Sequence, residues 1–129
     1  MQSKTPDTDK RIIAESEHYY IAGEWEAVTL YSKKDDRLIT RAGDHYGEPQ
    51  GGIIDKNERF CVTVGCGYII YFLKEPFEPY AYDRISEQWK EAGRDPDNIN
   101  WLTAVRQISD SEIELTDENG NTEMIKIPI

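Results

Sequence analysis

Six consecutive residues, Tyr68-Ile69-Ile70-Tyr71-Phe72-Leu73, present no polar face at either parity. Successive strand side chains point to opposite sides, so such a run belongs in a strand covered on both faces. A chain holding one doubly covered strand must supply layers to cover it, and this predicts a sheet-dominated fold. The flanking sequence agrees. Residues 52–55, the turn Lys56-Asn57-Glu58 and residues 59–64 precede the run. Gly65-Cys66-Gly67 then turns the chain into it, giving a three-stranded meander.

Upstream, residues 11–14 and 18–21 are short apolar runs, and residues 26–31 alternate polar and apolar as a half-buried strand should. Residues 32–36 form a turn from which residues 37–40 return as a hairpin. The glycines and proline of residues 43–52 mark a loop. Downstream, residues 102–108, 112–116 and 123–127 form a second meander. Its last turn, Asp117-Glu118-Asn119-Gly120, carries the Asn-Gly pair that accepts positive φ at low cost.

Between the meanders, the prolines of residues 75–80 exclude regular helix or inner strand. Asp83 can cap a helix whose apolar stripe is Ile85, Trp89 and Ala92, with Gly93 just past its end. A further helical turn is expected from Pro96, capped by Asp95. The predicted class is therefore α+β: two antiparallel meanders with one main helix near residues 83–92. We expect one globular domain over residues 11–129 behind a disordered polar tail at residues 1–10.

At 129 residues with 14 aromatics, such a domain can build a core without metal or disulfide staples. No apolar run approaches the ~20 residues of a bilayer span, so no membrane partner is expected. The opening MQSKTPDTDK has no hydrophobic stretch after its lysine, and two cysteines without an export signal suggest reduced thiols. The expected location is the cytoplasm.

The formal net charge is −10, and residues 75–129 carry 13 acids against 5 bases, or −8 of that total. A one-signed surface concentrates oppositely charged partners, whereas nucleic acid would need a basic footprint. A basic protein partner is expected and nucleic acid is not. Solubility alone is the plain alternative reading of the acidity.

Cys66, flanked by glycines, with His45 as base and Asp44 as its orienting acid, could form a cysteine–histidine–acid arrangement. The same Gly-Cys-Gly triplet equally shapes a tight turn around a small buried thiol. Cys61, Cys66, His18 and His45 lack zinc-site spacing, and neither a metal nor another cofactor is expected. Cys61 is expected to face the core beside Phe60 and Val62.

Two carboxylate pairs stand out. Glu112 and Glu114 share one strand face, and Glu87 and Glu91 share one face of the expected helix. Asp117, Glu118 and Glu123 crowd the same final hairpin, where like charges repel and a basic partner would relieve them. Tyr80 and Tyr82 in the linking segment, and Trp101 after it, are the candidate aromatic anchors, while Trp89 is expected in the core. The candidate partner-binding set is thus Glu87, Glu91, Glu112, Glu114, Asp117, Glu118, Tyr80, Tyr82 and Trp101.

One stretch also carries a likeness. His45-Tyr46-Gly47, a Gly-Gly strand, Phe60-Cys61-Val62, Gly65-Cys66-Gly67 and an aromatic–aliphatic strand succeed one another within residues 43–80. This pattern resembles small acidic bacterial immunity proteins that partner secreted polymorphic toxins. The resemblance implies a binding protein that masks a basic toxin domain by covering its active site. A small cysteine-dependent enzyme using Cys66 and His45, and a non-catalytic accessory module, are the alternatives.

Overall fold

The computed structural model describes residues 10–129, so residues 1–9 of the tail expected at residues 1–10 lie outside the described residues. The first sheet is an antiparallel meander of β1 (Arg11–Glu15), β2 (Tyr19–Glu24), β3 (Ala27–Ser32) and β4 (Arg37–Asp44). The second is a meander of β5 (Gly51–Ile54), β6 (Phe60–Gly65), β7 (Gly67–Phe72) and β8 (Trp89–Ala92). A small ribbon of β9 (Arg94–Asp95) and β10 (Asn98–Ile99) follows. The third sheet comprises β11 (Leu102–Ser109), β12 (Glu112–Asp117) and β13 (Thr122–Lys126).

The second sheet is the middle layer, because its side chains feed two separate cores. One parity of β6 and β7 sends Cys61, Ile69 and Tyr71 against Ile21, Val28, Leu30 and Ala42 of the first sheet. The other sends Phe60, Val62, Val64 and Ile70 against Leu102, Ile113 and Leu115 of the third, and Ile127 just past its last strand. The strand expected to be covered on both faces is so covered, by a sheet on each side. Packing of β1 on β5, and of β5 and β6 on β11, brings the first strands of successive sheets together.

No helix occurs among the described residues, so the α+β assignment is corrected to all-β. The stripe expected over residues 83–92 does not exist: Ile85 and Ala92 are exposed, and only Trp89 is buried. Two constraints override the helical spacing. β7 needs a partner along its free edge, and Trp89 through Ala92 supply it in register with Tyr71 through Tyr68. The preceding turn is fixed by Gln88, whose amide donates to the Phe72 carbonyl at 2.6 Å and the Lys74 carbonyl at 3.0 Å. Asp83, the expected cap, instead sits at φ 63°, outside the geometry of a helix start. At Asp95 the expected helical cap is an Asx turn, with Asp95 Oδ1 accepting from the Asp97 N–H at 3.0 Å inside the β9–β10 ribbon.

Antiparallel pairing gives the stack two distinct ends. The β1–β2, β3–β4, β5–β6 and β11–β12 turns lie at one end. There Glu58 accepts from Ser16 Oγ and from the His18 N–H, joining the first sheet to the second. The β2–β3, β6–β7 and β12–β13 turns, the segment after β4 and the β9–β10 ribbon gather at the opposite end, called the loop end below. No helix among the described residues is long and apolar enough to cross a membrane.

Candidate partner-binding face at the loop end

The loop end is built on an unusually close crossing of backbones. Gly67, at φ 69°, starts β7 directly beneath the β8–β9 turn, where a Cβ would lie 2.3 Å from the Ala92 carbonyl oxygen. Its N–H donates to the Asn100 carbonyl at 2.9 Å, and the Asn100 N–H donates to the Gly93 carbonyl at 2.9 Å. Gly93, also in the left-handed region, completes the crossing. The glycines around Cys66 therefore serve backbone approach, and the chain reverses within three residues, with Cys66 bridged to Trp101.

Arg94 enters this crossing from β9. Its guanidinium donates to the Cys66 carbonyl at 2.7 Å and the Asp44 carbonyl at 2.5 Å, and Nη1 lies 3.3 Å from His45 Nδ1. Nε stands 2.8 Å from Glu91 Oε1, an ion pair, but off the N–H direction, so the Nε–H has no acceptor in line. His45 Nε2 lies 2.9 Å from Thr63 Oγ1. With Nδ1 turned to a cation, the imidazole is best assigned as the Nε2–H tautomer, donating to that hydroxyl. Burial, then the Arg94 charge, hold its pKa down at about 4, against a weaker opposite pull from the Cys66 backbone.

His45, Asp44 and Cys66 do meet around one groove, but not as a nucleophile, base and acid. Both imidazole nitrogens are engaged elsewhere, no hydrogen bond joins the buried Cys66 thiol to His45, and Asp44 reaches Arg94 through its backbone. The arrangement ties β4, β6, β7 and β9 together. Cys61 is buried, and burial pushes its thiol up to about 12. His18 lies at the far end against Glu58, so the four soft metal ligands do not converge.

Around this scaffold stand four exposed aromatic side chains. Trp25, 73 % exposed, tips the β2–β3 turn, and Tyr46, 70 % exposed, follows β4. Tyr82 is 54 % exposed with its ring 5.6 Å above the Arg94 guanidinium, and Trp101 is 40 % exposed with its ring centroid 6.3 Å from that of Tyr46. Carboxylates of Glu26, Asp44, Glu48 and Glu118 lie among them, and Asp95 and Asp97 are carried by the β9–β10 ribbon and its turn. The segment after β4 is held in place: Gly47 N–H donates to Glu26 Oε2, Gln50 N–H to the Val64 carbonyl, and Arg11 Nη2 to the Pro49 carbonyl.

The sequence-selected residues divide between the two ends. Tyr82, Trp101, Asp117 and Glu118 lie at the loop end, where Asp117 shapes its turn by accepting from the N–H groups of Asn119 and Asn121, both at 2.9 Å. Those turn hydrogen bonds, Asn121 first, hold its pKa below the ordinary carboxylate value. Tyr80 is core, its hydroxyl donating to Glu91 Oε1 at 2.6 Å and its phenol pushed up chiefly by burial. Glu87 is at the far end, so the face expected to join it with Glu91 is absent along with the helix. Glu112 and Glu114 share the outward face of β12, as expected, but bases answer them: Glu112 lies opposite Lys126, and Glu114 accepts from Arg106 Nε at 2.7 Å. Sequence reasoning missed Trp25, Tyr46 and Glu26. A tryptophan at a hairpin tip, where a side chain has no layer to pack on, was the available signal for the first.

No protein-family model and no curated protein matches this sequence. Among solved structures, the chain is similar to the computationally designed Ika4 protein at 13 % identity and a TM-score of 0.44, covering 91 % of both chains.

Proposed function

We propose that this chain is a binding protein of the inhibitor or immunity type, acting in the cytoplasm, that masks a basic protein partner such as a toxin domain. The observation that carries the reading is the set of four exposed aromatic rings, Trp25, Tyr46, Tyr82 and Trp101, standing among carboxylates at one end of the stack. Aromatic side chains in water gain most from burial against a partner, and charges around them steer and orient the encounter. Backbone crossings and the Arg94 network hold these side chains on a fixed frame, which lowers the ordering cost of association. The immunity-protein resemblance of residues 43–80 supports the same class. Occlusion is the mechanism: rings fill depressions on the partner while Glu26, Asp97 and Glu118 face its bases.

Affinity capture from the native host, with salt elution and mass spectrometry, tests this. The expected result is one stoichiometric basic protein retained by the native chain, lost from a Trp25→Ala/Trp101→Ala variant, and kept by Glu87→Gln at the far end. Retention by the double variant, or no partner while a candidate is expressed, overturns the reading.

A further inference from the structure

The loop end contains a groove of about 550 Å³ between the segment after β4 and the β9–β10 ribbon. Tyr46 and Tyr82 are its exposed aromatic walls, Pro96 and Ile99 add apolar surface, and Glu26 and Asp44 bring two carboxylates. His45, Cys66 and Arg94 lie beneath. We propose that this groove is a subsite for an arginine side chain of the partner. The inference rests on the binding reading above and names the chemistry of its anchor.

Charge decides between a cationic and an anionic occupant. Among the described residues Arg94 is the single cation lining the groove, but its side chain is only 8 % exposed, and Glu91 neutralises it at 2.8 Å. Its Nη1 and Nη2 groups already donate to the carbonyls of Cys66 and Asp44. An anion entering the groove would meet Nη1 and Nη2 already engaged, and an Nε that is buried beside the Glu91 carboxylate. With the Arg94–Glu91 pair cancelled, the carboxylates of Glu26 and Asp44 remain, and neither forms a salt bridge among the described residues. His45, whose pKa burial and then the Arg94 charge hold down at about 4, adds no charge at neutral pH.

Shape and chemistry favour arginine over lysine. A guanidinium is flat, stacks on aromatic faces and can offer two N–H groups to one carboxylate, whereas an ammonium is a compact, strongly hydrated point charge. Tyr82 already holds one guanidinium over its ring, that of Arg94, with Cζ 5.6 Å from the ring centroid. Two tyrosine walls with nearby carboxylates supply the same contacts to an incoming one, and the apolar lining covers its methylene stem.

The test uses the whole chain and a blocked Gly-Arg-Gly peptide, with Gly-Lys-Gly, Gly-norleucine-Gly and Gly-Glu-Gly peptides as controls. Nuclear magnetic resonance follows Tyr46, Tyr82, Cys66 and Ile99 as each peptide is raised to ~10 mM, enough to fill a millimolar site. The expected result is saturable shifts confined to the groove, with the arginine peptide binding at least about threefold tighter than the lysine peptide. Tyr82→Ala and Glu26→Gln/Asp44→Asn variants, unchanged in the rest of their spectra, should each weaken it at least about fivefold. Equal response to the norleucine or glutamate peptide, no preference over lysine, shifts elsewhere, or none at all overturns the subsite. A captured partner that tolerates both variants also ends this inference while leaving the binding reading intact. An arginine-filled groove with no protein partner does the reverse.

Discussion

His45 Nδ1 faces the Arg94 guanidinium at 3.3 Å inside a buried junction, so burial first and the neighbouring cation second disfavour its protonation. An unfolded histidine takes up its proton near pH 6.5, whereas the folded site resists protonation down to about 4, first through burial and then through Arg94. The unfolded chain binds more protons across that interval, so stability falls as pH drops from about 6.5 to about 4. The loss approaches about 3 kcal/mol. Urea midpoints across this range should fall for the native chain and flatten for His45→Gln; parallel profiles would contradict the assignment.

His18 carries the opposite sign. Its hydrogen bond to Glu58, 2.7 Å from Nδ1 to Oε1, and the Glu58 charge raise its pKa above 6.5. That contribution is present in full below about 6.5 and is lost as pH rises through the raised value. A proton titration of the His18 ring should show the elevated midpoint, and Glu58→Gln should return it toward 6.5.

Asp55 is fully buried and accepts from Arg59 Nε at 2.6 Å, Arg59 Nη2 at 3.1 Å and Gln107 Nε2 at 2.7 Å, tying the β5–β6 turn to β11. Burial pulls its pKa up, but the Arg59 and Gln107 hydrogen bonds prevail and hold it at about 2. Its stabilisation is complete above about pH 4 and disappears as pH falls through about 2. Asp55→Ala should cost about 3 kcal/mol in denaturant unfolding at neutral pH. A cost under about 1 kcal/mol would show that water replaces those hydrogen bonds.

Gly67 and Gly120 separate backbone strain from collision. Both have positive φ, but a Cβ at Gly67 meets the Ala92 carbonyl at 2.3 Å and one at Gly120 meets nothing within 4 Å. Gly120→Ala should therefore cost about 1 kcal/mol, for the left-handed backbone alone. Gly67→Ala should cost about 3 kcal/mol or more and perturb the resonances of His45 and Arg94. Equal costs would remove the close crossing from the account.

The strands were legible because their signals are local. The unbroken apolar run at residues 68–73 announced a doubly covered strand, and Asn119-Gly120 marked the last hairpin. Residues 83–92 misled because Ile85, Trp89 and Ala92 have helical spacing, while the deciding influence, the unpaired edge of β7, lies some twenty residues away in sequence. The loop end was legible only in pieces. Tyr82, Trp101 and Glu118 could be selected as types, but their meeting with Trp25, Glu26 and Tyr46 follows from which ends of three sheets align. No spacing in the sequence encodes that.

The docking claim is tested most directly by the rate at which the captured basic partner associates at low salt. Glu26→Gln/Asp97→Asn/Glu118→Gln alters the loop end, and Glu17→Gln/Glu75→Gln/Glu87→Gln removes the same charge from the far end. The loop-end variant should associate about tenfold more slowly, with a flatter salt dependence, while the far-end variant matches the native chain within about twofold. Equal slowing by both would make the charge a general field, and no slowing by the loop-end variant would contradict the proposed face.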